Sequence, residues 1–265
     1  MNIILSIFIL FFLNLFSLIA FLVAAFWREK LQRELTDTKN LLNTKEEFNA
    51  LVVHELRTPL SLISGSADTI LRHKDLKREV QEELVVSIKT SAQSMLELVS
   101  AILDLAKMEA GKFSIMKENA DLDKLLKDVV DAFQPLAEQK KLKLIYLHHQ
   151  LPEVPMDSFR IRQVVTNLLS NAIKYTDQGK IELEVQVGET NALVCIKDEG
   201  RGMSKEEMDT LFTRYNRLSS SKGSIGSGLG LVVVRGIVEA HGGKISVSSE
   251  KNMGSTFCFS IPLSW

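Results

Sequence analysis

The spacing of hydrophobic residues changes twice along this chain. Residues 3–26 form an apolar run interrupted by Ser6, Asn14 and Ser17. Residues 31–105 then carry apolar positions at alternating steps of three and four, a spacing that predicts long amphipathic helices. From residue 112 onward, short strand-like runs alternate with helical stretches. This last pattern predicts an α/β layer domain with helices against one face of a mixed sheet.

The helical region is predicted to form a hairpin of two long helices with a turn near residues 73–75. The seam of the first helix comprises Val52, Leu56, Pro59, Ile63, Ser66 and Ile70, after a heptad-like lead through Leu31, Leu35, Thr38 and Leu42. The seam of the second comprises Leu84, Ile88, Ser91, Met95, Leu98, Ile102 and Leu105. Because a hairpin cannot bury such a seam alone, we expect two copies to form an antiparallel-hairpin four-helix bundle. The alternative, a hairpin packed on its own C-terminal domain, leaves the regular heptad spacing unexplained.

The C-terminal domain has predicted elements with definite bounds. Strands are expected over residues 113–116, 142–148, 180–187, 192–197, 244–249 and 256–261, and helices over residues 121–139, 158–175 and 229–241. Gly111 and Gly179 lie where helices should end. The predicted organisation is an anchor (residues 1–27), a coiled linker helix (28–44), a helical hairpin (45–111) and the α/β domain (112–265).

The first apolar run is long enough to cross a bilayer, since residues 3–26 as a helix would extend roughly 36 Å. The run is too long for a cleaved signal peptide and lacks a basic leader. Arg28, Lys30 and Arg33 follow it and no Lys or Arg precedes it. The positive-inside rule therefore predicts a single span of the cytoplasmic membrane, with the N-terminus outside and everything after Trp27 in the cytoplasm. No extracytoplasmic domain is expected, and Asn14 either pairs identical helices or is passive.

Composition narrows the classes of partner. The chain has 265 residues, of which 45% are hydrophobic and 25% charged, and its formal net charge of −1 gives no sign of nucleic-acid binding. Cys195 and Cys258 each stand alone in a strand-like run, without CxxC spacing or a histidine cluster. The sequence therefore predicts neither a zinc site nor a disulfide, and we expect both cysteines to be reduced core residues.

One histidine of the hairpin is predicted to face water. His54 lies about 200° around the helix from Val52 and so opposite the seam, and Thr58 falls about 40° from His54 on the same face. Pro59 removes a backbone donor next to them and leaves the carbonyl of Glu55 without its helical partner. Most exposed histidines on amphipathic helices have no function, and this is the simpler explanation of His54 taken alone. The alternative is that an exposed imidazole on a bent helix is a nucleophile.

Three polar clusters of the α/β domain are candidates for chemistry. In the first, Asn167 and Asn171 share one helical face, and Lys174 extends that face by a turn. Amide oxygens and an ammonium group suit a hydrated Mg²⁺ bound to phosphates. In the second, Asp198 follows a strand and precedes Gly200 and Gly202. Its carboxylate can accept a hydrogen bond from an exocyclic amine, although an Asp-Gly turn is the simpler explanation.

The third cluster is a glycine-rich segment at the start of a predicted helix. Gly226, Gly228, Leu229 and Gly230 stand there, where free backbone N–H groups and the positive end of the helix would face an anion. A flexible linker is the simpler explanation of these glycines. Three such clusters in this order within one domain are nevertheless hard to explain by structure alone, and they indicate a functional site.

Together these motifs resemble a membrane-anchored sensor histidine kinase of the two-component type. Five segments carry the resemblance, namely His-Glu-Leu-Arg-Thr-Pro at residues 54–59 and residues 167–175, 198–202, 212–217 and 226–231. The resemblance implies a dimerisation and histidine-phosphotransfer hairpin. It also implies a following α/β sandwich of the ATP-binding type shared with gyrase, mismatch-repair and chaperone ATPases.

The same resemblance implies roles for individual residues. Asp198 would accept a hydrogen bond from the adenine amino group, Tyr175 would pack on the base, Asn167 and Asn171 would hold Mg²⁺, and Lys174 would meet the phosphates of ATP. The remaining nucleotide-binding residues would be Gly200, Gly202, Phe212, Arg217, Gly226, Gly228, Leu229 and Gly230. Residues 205–227 would form a mobile lid.

The residue at position 167 predicts the reaction. Hydrolytic relatives carry a glutamate there that activates water, whereas the amide of Asn167 cannot act as a base. The expected reaction is attack by His54 on the γ-phosphate of Mg-ATP, with Glu55 orienting the ring or taking its proton. The phosphoryl group would then pass to an aspartate of a cytoplasmic response regulator. The resemblance offers Thr58 for the reverse, phosphatase reaction.

Two other functions remain open at this point. An ATP-binding scaffold that has lost transfer would act through the conformation of its dimer. A chaperone-like ATPase would hydrolyse ATP without a phosphoprotein, which the amide at position 167 argues against. The stimulus would enter through the membrane helix or a membrane-embedded signalling partner, because the sequence leaves room for a short coiled segment before the hairpin.

Overall fold

The structure is a computed structural model that describes residues 2–73, 75–147, 153–212 and 229–264. It forms two compact units, Met1–Val53 and His54–Trp265. In chain order, the elements are α1 (Asn2–Arg72), α2 (Arg78–Glu109), β1 (Glu118–Ala120), α3 (Leu122–Gln139), β2 (Lys143–Leu147), β3 (Val154–Met156), α4 (Ser158–Tyr175), β4 (Lys180–Val187), β5 (Asn191–Asp198), α5 (Lys205–Thr210), α6 (Gly230–Ala240), β6 (Ile245–Glu250) and β7 (Gly254–Pro262).

The two long helices α1 and α2 meet at the predicted turn after Arg72. The positions of both predicted seams are buried or half-buried, with Ser66, Ser91, Leu98 and Leu105 the most buried of them. The seam therefore lies on the inward side of each helix, as its spacing predicts. Helix α1 continues through Pro59.

The α/β domain is built on a five-stranded mixed sheet. Its strand order is β2-β4-β5-β7-β6, with β2 parallel to β4 and the other pairs antiparallel. A separate antiparallel pair joins β1 to β3. Inward residues of β5 alternate with outward ones, and those facing inward share one core with the apolar faces of α3, α4 and α6. The predicted layers of helix and mixed sheet are thus present.

Acidic caps fix where two of the core helices begin. The side chain of Asp121 accepts a hydrogen bond from the backbone N–H of Lys124, and that of Asp157 accepts from Arg160. Each carboxylate satisfies one of the backbone donors that a helix start leaves unpaired. These caps place α3 and α4 within one residue of their predicted starts.

The element predictions fail in short segments. The strand expected over residues 113–116 is absent from this described part of the chain; the first strand is β1, which pairs with β3. Strand β3 and helix α5 were not predicted. Such short elements lack a full hydrophobic period, and a partner strand or a cap decides them instead. For α5 that cap is a reciprocal pair of hydrogen bonds between Ser204 and Glu207.

The prediction of two reduced core cysteines is wrong. Cys195 of β5 lies directly opposite Cys258 of β7, and the two form a disulfide with their Cα atoms 4.1 Å apart. Both residues are half-buried on the outward side of the sheet rather than in the core. They are separated by 63 residues, so only the register of the two strands brings them together.

Across the residues that the structure describes, we find no helix with an apolar stretch long enough to cross a membrane. Most side chains of the predicted span at residues 3–26, including that of Asn14, lie outside those described residues.

Candidate functional site

The histidine of the hairpin is exposed, as its helical position predicts. The side chain of His54 is 67% exposed, and its Nδ1 lies 3.4 Å from Oε1 of Glu55. The Glu55 side chain is only 11% exposed, so the carboxylate is held close to the helix surface. A proton on Nδ1 facing Glu55 leaves Nε2 with a free lone pair that points to solvent.

Thr58 lies beside His54 on the same helical face. Its hydroxyl donates a hydrogen bond to the His54 carbonyl at 3.3 Å. A shallow groove at this place is lined by His54, Arg57, Thr58, Ser61 and Leu62. The structure thus brings the predicted nucleophile and the predicted phosphatase residue into one open surface.

The predicted base-binding carboxylate, Asp198, lies buried at the end of β5 with 5% of its surface exposed. Its Oδ1 accepts a hydrogen bond from the backbone N–H of Gly200 at 2.9 Å. Burial raises the pKa of Asp198 above its ordinary value, while hydrogen bonds from the backbones of Gly200 and Ser255 act in the opposite direction. A buried carboxylate with these donors is positioned to accept a further hydrogen bond from a flat ligand.

The glycines after Asp198 allow two close backbone contacts. A Cβ atom on Gly200 would lie 2.5 Å from the carbonyl oxygen of Tyr175, and one on Gly202 would lie 1.8 Å from that of Glu250. Gly202 also has a positive φ of 60°. The loop is therefore pressed against the end of α4 and against β6, where a side chain would not fit.

The predicted metal ligands lie on α4, where Asn167 faces the start of α6. The Nδ2 of Asn167 donates to the carbonyl of Gln163 at 3.0 Å, and a Cβ atom on Gly230 would lie 2.6 Å from Oδ1 of Asn167. Asn171 lies one turn further along α4. Amide oxygens are hard donors that suit Mg²⁺ with its retained waters, so these residues fit that ion.

The end of α4 carries an aromatic residue that two cations contact. The Nζ of Lys174 lies 4.9 Å from the ring centroid of Tyr175, and the Cζ of Arg201 lies 4.8 Å from it. The backbone N–H of Arg201 also donates to the Tyr175 carbonyl. Sequence reasoning missed Arg201, although its place inside the Asp-Glu-Gly-Arg-Gly segment was a usable signal.

The structure describes only some of the other predicted site residues. Leu229 is 1% exposed just before α6, and Phe212 packs against the core after α5. Arg217, Gly226 and Gly228 lie outside the described residues. The same holds for residues 213–227 of the predicted lid, whose first part contains the capped helix α5.

Two domain families match this chain in the order of its two sites. Residues 44–111 match the His Kinase A (phospho-acceptor) domain. Residues 156–264 match the family of histidine kinase-, DNA gyrase B- and HSP90-like ATPases. The chain belongs to the two-component sensor histidine kinases. The predicted family and ATP-binding fold of this histidine kinase are therefore confirmed.

Several known sensor proteins and histidine kinases are similar to most of this chain. Sensor protein EvgS of Escherichia coli (strain K12) is 30% identical over 254 aligned positions, and the match covers 87% of this chain and 21% of EvgS. The chain thus spans about a fifth of that relative. The Acinetobacter baumannii histidine kinase AdeS is 28% identical with a TM-score of 0.61, over 80% of this chain and 98% of AdeS. Full-length ShkA in complex with AMPPNP is 25% identical with a TM-score of 0.62, over 83% of this chain and 46% of ShkA.

One buried ion pair of this histidine kinase had no sequence signal. Arg160 of α4 binds Asp104 of α2 through both guanidinium Nη atoms, at 2.6 and 3.0 Å. The Asp104 side chain is 7% exposed. Neither residue belongs to a motif, and nothing in the spacing of 56 residues predicts their contact.

Proposed function

We propose that this chain is an ATP-dependent protein-histidine kinase that phosphorylates its own His54. One combination supports the proposal: the chain presents an exposed imidazole with a carboxylate near its Nδ1, and it also has a domain of the ATP-binding family in which Asp198 is buried. The imidazole would accept the phosphoryl group, and the domain would bind ATP, its donor.

The proposed reaction forms one bond and breaks one. Nε2 of His54 attacks the γ-phosphorus of ATP, the bond from that phosphorus to the β,γ-bridging oxygen breaks, and ADP leaves. Glu55 accepts a hydrogen bond from the Nδ1–H group. This bond keeps the proton on Nδ1 and the lone pair on Nε2, and it stabilises the positive charge that develops on the ring. Catalysis comes mainly from positioning and charge neutralisation.

At the nucleotide site, Asp198 would accept from the adenine amino group and Tyr175 would pack on the base. Lys174 would approach the phosphates. Asn167 and Asn171 would hold Mg²⁺, which when bound neutralises phosphate charge. Because Asn167 is an amide, the site has no general base at the position where hydrolytic relatives have a carboxylate, and this favours His54 over water as the acceptor.

A response regulator is the proposed recipient of the phosphoryl group. The phosphoramidate on His54 would pass it to an aspartate of that partner at the open groove beside Arg57, Ser61 and Leu62. Thr58, on the same face, is the proposed residue for the reverse step, in which the regulator is dephosphorylated.

We also propose that the hairpin dimerises into a four-helix bundle. Several large apolar side chains of α1 and α2 are more than 40% exposed in the single chain, namely Leu60, Leu62, Leu71, Val85, Val86, Leu96, Val99 and Leu103. A second copy would cover apolar surface of this kind, which a soluble domain rarely leaves open. Sedimentation of the solubilised full chain should give a dimer, and Leu96→Glu should shift it towards the monomer.

Residues 3–26 are proposed to anchor the chain in the cytoplasmic membrane, with its N-terminus outside and its kinase domains in the cytoplasm. The apolar run and the cations that follow it support this topology. Lys30 lies over the ring of Trp27 at 5.3 Å, an arrangement typical of a membrane boundary. Recovery of the chain in the carbonate-washed membrane fraction, and its release on deletion of residues 3–26, would support the anchor.

Incubation of the full chain with γ-labelled ATP tests the kinase directly. We expect label that is acid-labile and alkali-stable, as a phosphoramidate is, and its complete loss in His54→Gln. His73→Gln is the matched control, since His73 is another exposed histidine of the hairpin. Absence of label from the wild type would favour the ATP-binding scaffold. Rapid phosphate release without a phosphoprotein would favour the hydrolytic ATPase.

A further inference from the structure

The disulfide lies on the open face of the sheet in the ATP-binding domain. Strand register places Glu184, Cys195, Cys258 and Ser246 in one row across β4, β5, β7 and β6. Ser246 is exposed and the other three are half-buried. The core helices pack against the residues that alternate with this row, such as Val194 and Ile196. A small thiol or an oxidoreductase can therefore approach the pair from solvent.

The same two strands carry Asp198, the residue proposed to bind the adenine base. Three residues beyond the disulfide, Asp198 of β5 pairs with Ser255 of β7. The Asp198 carboxylate takes backbone hydrogen bonds from both sides of this junction, from Gly200 and from Ser255. A Cβ atom on Gly254 would lie 1.9 Å from the carbonyl oxygen of Asp198, so β7 also sits tightly against the backbone there. The position of β7 relative to β5 thus sets the surroundings of Asp198.

The chemistry of the compartment makes a permanent cross-link at this place unexpected. The proposed kinase uses ATP, a cytosolic nucleotide, and cytosolic thiols are kept reduced. Disulfides of cytosolic domains are usually transient or redox-sensing, and we expect this one to be of that kind. Both features, solvent access and contact with the base site through one strand pair, are those of a reversible cysteine switch.

We propose that Cys195 and Cys258 form a thiol–disulfide switch that controls how tightly the domain binds ATP. This inference rests on the proposed kinase function. In the closing direction, two cysteine thiols exchange with an oxidised disulfide partner, forming the Cys195–Cys258 bond and releasing two thiols. In the opening direction, one thiol of a dithiol reductant attacks one sulfur of the pair, and the bond between the two cysteines breaks. The second thiol of the reductant then displaces that cysteine, so the reductant leaves as a disulfide. Two electrons and two protons have passed to the cysteines.

The closed form is expected to bind ATP more tightly. The cross-link restrains β5 and β7 beside Asp198, so less conformational freedom remains to be lost when the nucleotide is bound. Opening the cross-link leaves the ladder hydrogen bonds but removes this restraint. We expect the Kd for ATP to rise about fivefold or more on reduction, which is the lower end of ordinary coupling between sites.

The test compares one full-length preparation in two thiol states. Aliquots are equilibrated with reduced or with oxidised dithiothreitol, their free cysteines are alkylated and counted by mass, and ATP binding and autophosphorylation are measured on each. The double variant Cys195→Ser/Cys258→Ser should bind ATP equally under both conditions, with the affinity of the reduced wild type. Leu193→Ser is the matched control, because Leu193 shares the strand and the outward face with Cys195 but not the cross-link; it should keep the redox response.

The possible outcomes separate the two proposals. Equal ATP affinity in both thiol states overturns the switch and leaves the kinase intact. A pair that resists dithiol in the folded protein also overturns it, since the cross-link would then be permanent. ATP binding that responds to thiol state without any phosphorylation of His54 supports the switch and contradicts the proposed kinase reaction.

Discussion

Arg160 at the start of α4 forms a two-pronged ion pair with Asp104 near the end of α2, and thereby joins the hairpin to the ATP-binding domain. The amide of Gln163 also reaches Asp104, and the guanidinium lies 5.0 Å from the ring centroid of Phe113. Close by in the sequence of α2, Met108 fills the space above Gly236 of α6. The end of α2 is therefore held by polar and apolar contacts together.

Loss of one partner of this ion pair should destabilise the protein strongly. Asp104→Leu leaves the guanidinium of Arg160 largely buried without its carboxylate, and we expect the free energy of unfolding to fall by about 3 kcal/mol. The double variant Asp104→Leu/Arg160→Met should recover most of this loss, because no unpaired charge remains. Denaturant titration measures both.

The exposed pair of Arg162 and Asp128 provides the control, since both side chains are about half exposed. Arg162→Met should cost about 0.5 kcal/mol or less. If Asp104→Leu and Arg162→Met lowered the free energy of unfolding by similar amounts, burial of the Arg160–Asp104 pair would not explain the effect.

A methyl group at the start of α6 should weaken ATP binding. In Gly230→Ala, the new Cβ meets Oδ1 of Asn167 at 2.6 Å, so the amide proposed to hold Mg²⁺ has to move. We expect the Kd for Mg-ATP to rise about tenfold, equivalent to about 1.4 kcal/mol. Gly236→Ala is the matched change on the same helix, where the new Cβ meets the flexible side chain of Met108. Calorimetry should show that the ATP affinity of Gly236→Ala is unchanged. Equal losses of affinity in both variants would contradict the proposed role of Asn167.

ATP affinity should depend on the ionisation of Asp198. Burial raises the pKa of this carboxyl, so protonation occurs at a higher pH than for an exposed aspartate. The ionised form accepts a hydrogen bond from the adenine amino group more strongly than the protonated form does, so affinity should fall as pH falls through the raised pKa. Titrating the wild type against Asp198→Asn cancels the protonation of ATP itself. A wild type that parallels the variant across the acidic range would exclude this role.

Stability of the ATP-binding domain should decrease in mild acid because of His241. This residue is fully buried; its Nδ1 lies 2.8 Å from the Ile237 carbonyl, and its Nε2 accepts from the backbone N–H of Asp157. Burial lowers the pKa of His241, with Lys117 acting in the same direction. The unfolded chain therefore binds a proton more readily, and stability present above the ordinary pKa of 6.5 is lost as pH falls through the lower, folded pKa.

Thermal unfolding across that pH range checks this expectation. His241→Gln removes the titrating ring and should flatten the dependence, while costing about 1 to 3 kcal/mol if Asp157 N–H is left unsatisfied. An unchanged slope in this variant would show that another group is responsible.

Thr58→Ala should separate the two reactions at the hairpin surface. The hydroxyl donates to the His54 carbonyl but does not touch the imidazole in any described contact, so autophosphorylation should be retained. Dephosphorylation of the regulator should slow by about tenfold or more if Thr58 positions the water or the phosphoryl group. Thr58→Ser, which keeps the hydroxyl, is the matched variant and should restore the reaction. Unchanged dephosphorylation in Thr58→Ala would remove this residue from the mechanism.

The bounds of several elements and the exposed face of the hairpin helix follow from the local periodicity of the sequence. Strand β4 and helix α4 have the predicted bounds, because each carries a full hydrophobic period between clear end signals. The exposure of His54 likewise follows from its angle to the seam, since helix geometry alone determines which side chains share a face. The order of the motifs was sufficient to predict the family.

Only the tertiary structure decided which distant residues meet. The disulfide depends on the register of β5 and β7, the Arg160–Asp104 pair on how α4 meets α2, and the position of Arg201 over Tyr175 on the close approach that Gly200 allows. Each contact joins segments whose separation in sequence carries no period and no motif. Such contacts are set by packing and strand pairing across the whole domain, and so a local pattern determines the elements but not the partners they bring together.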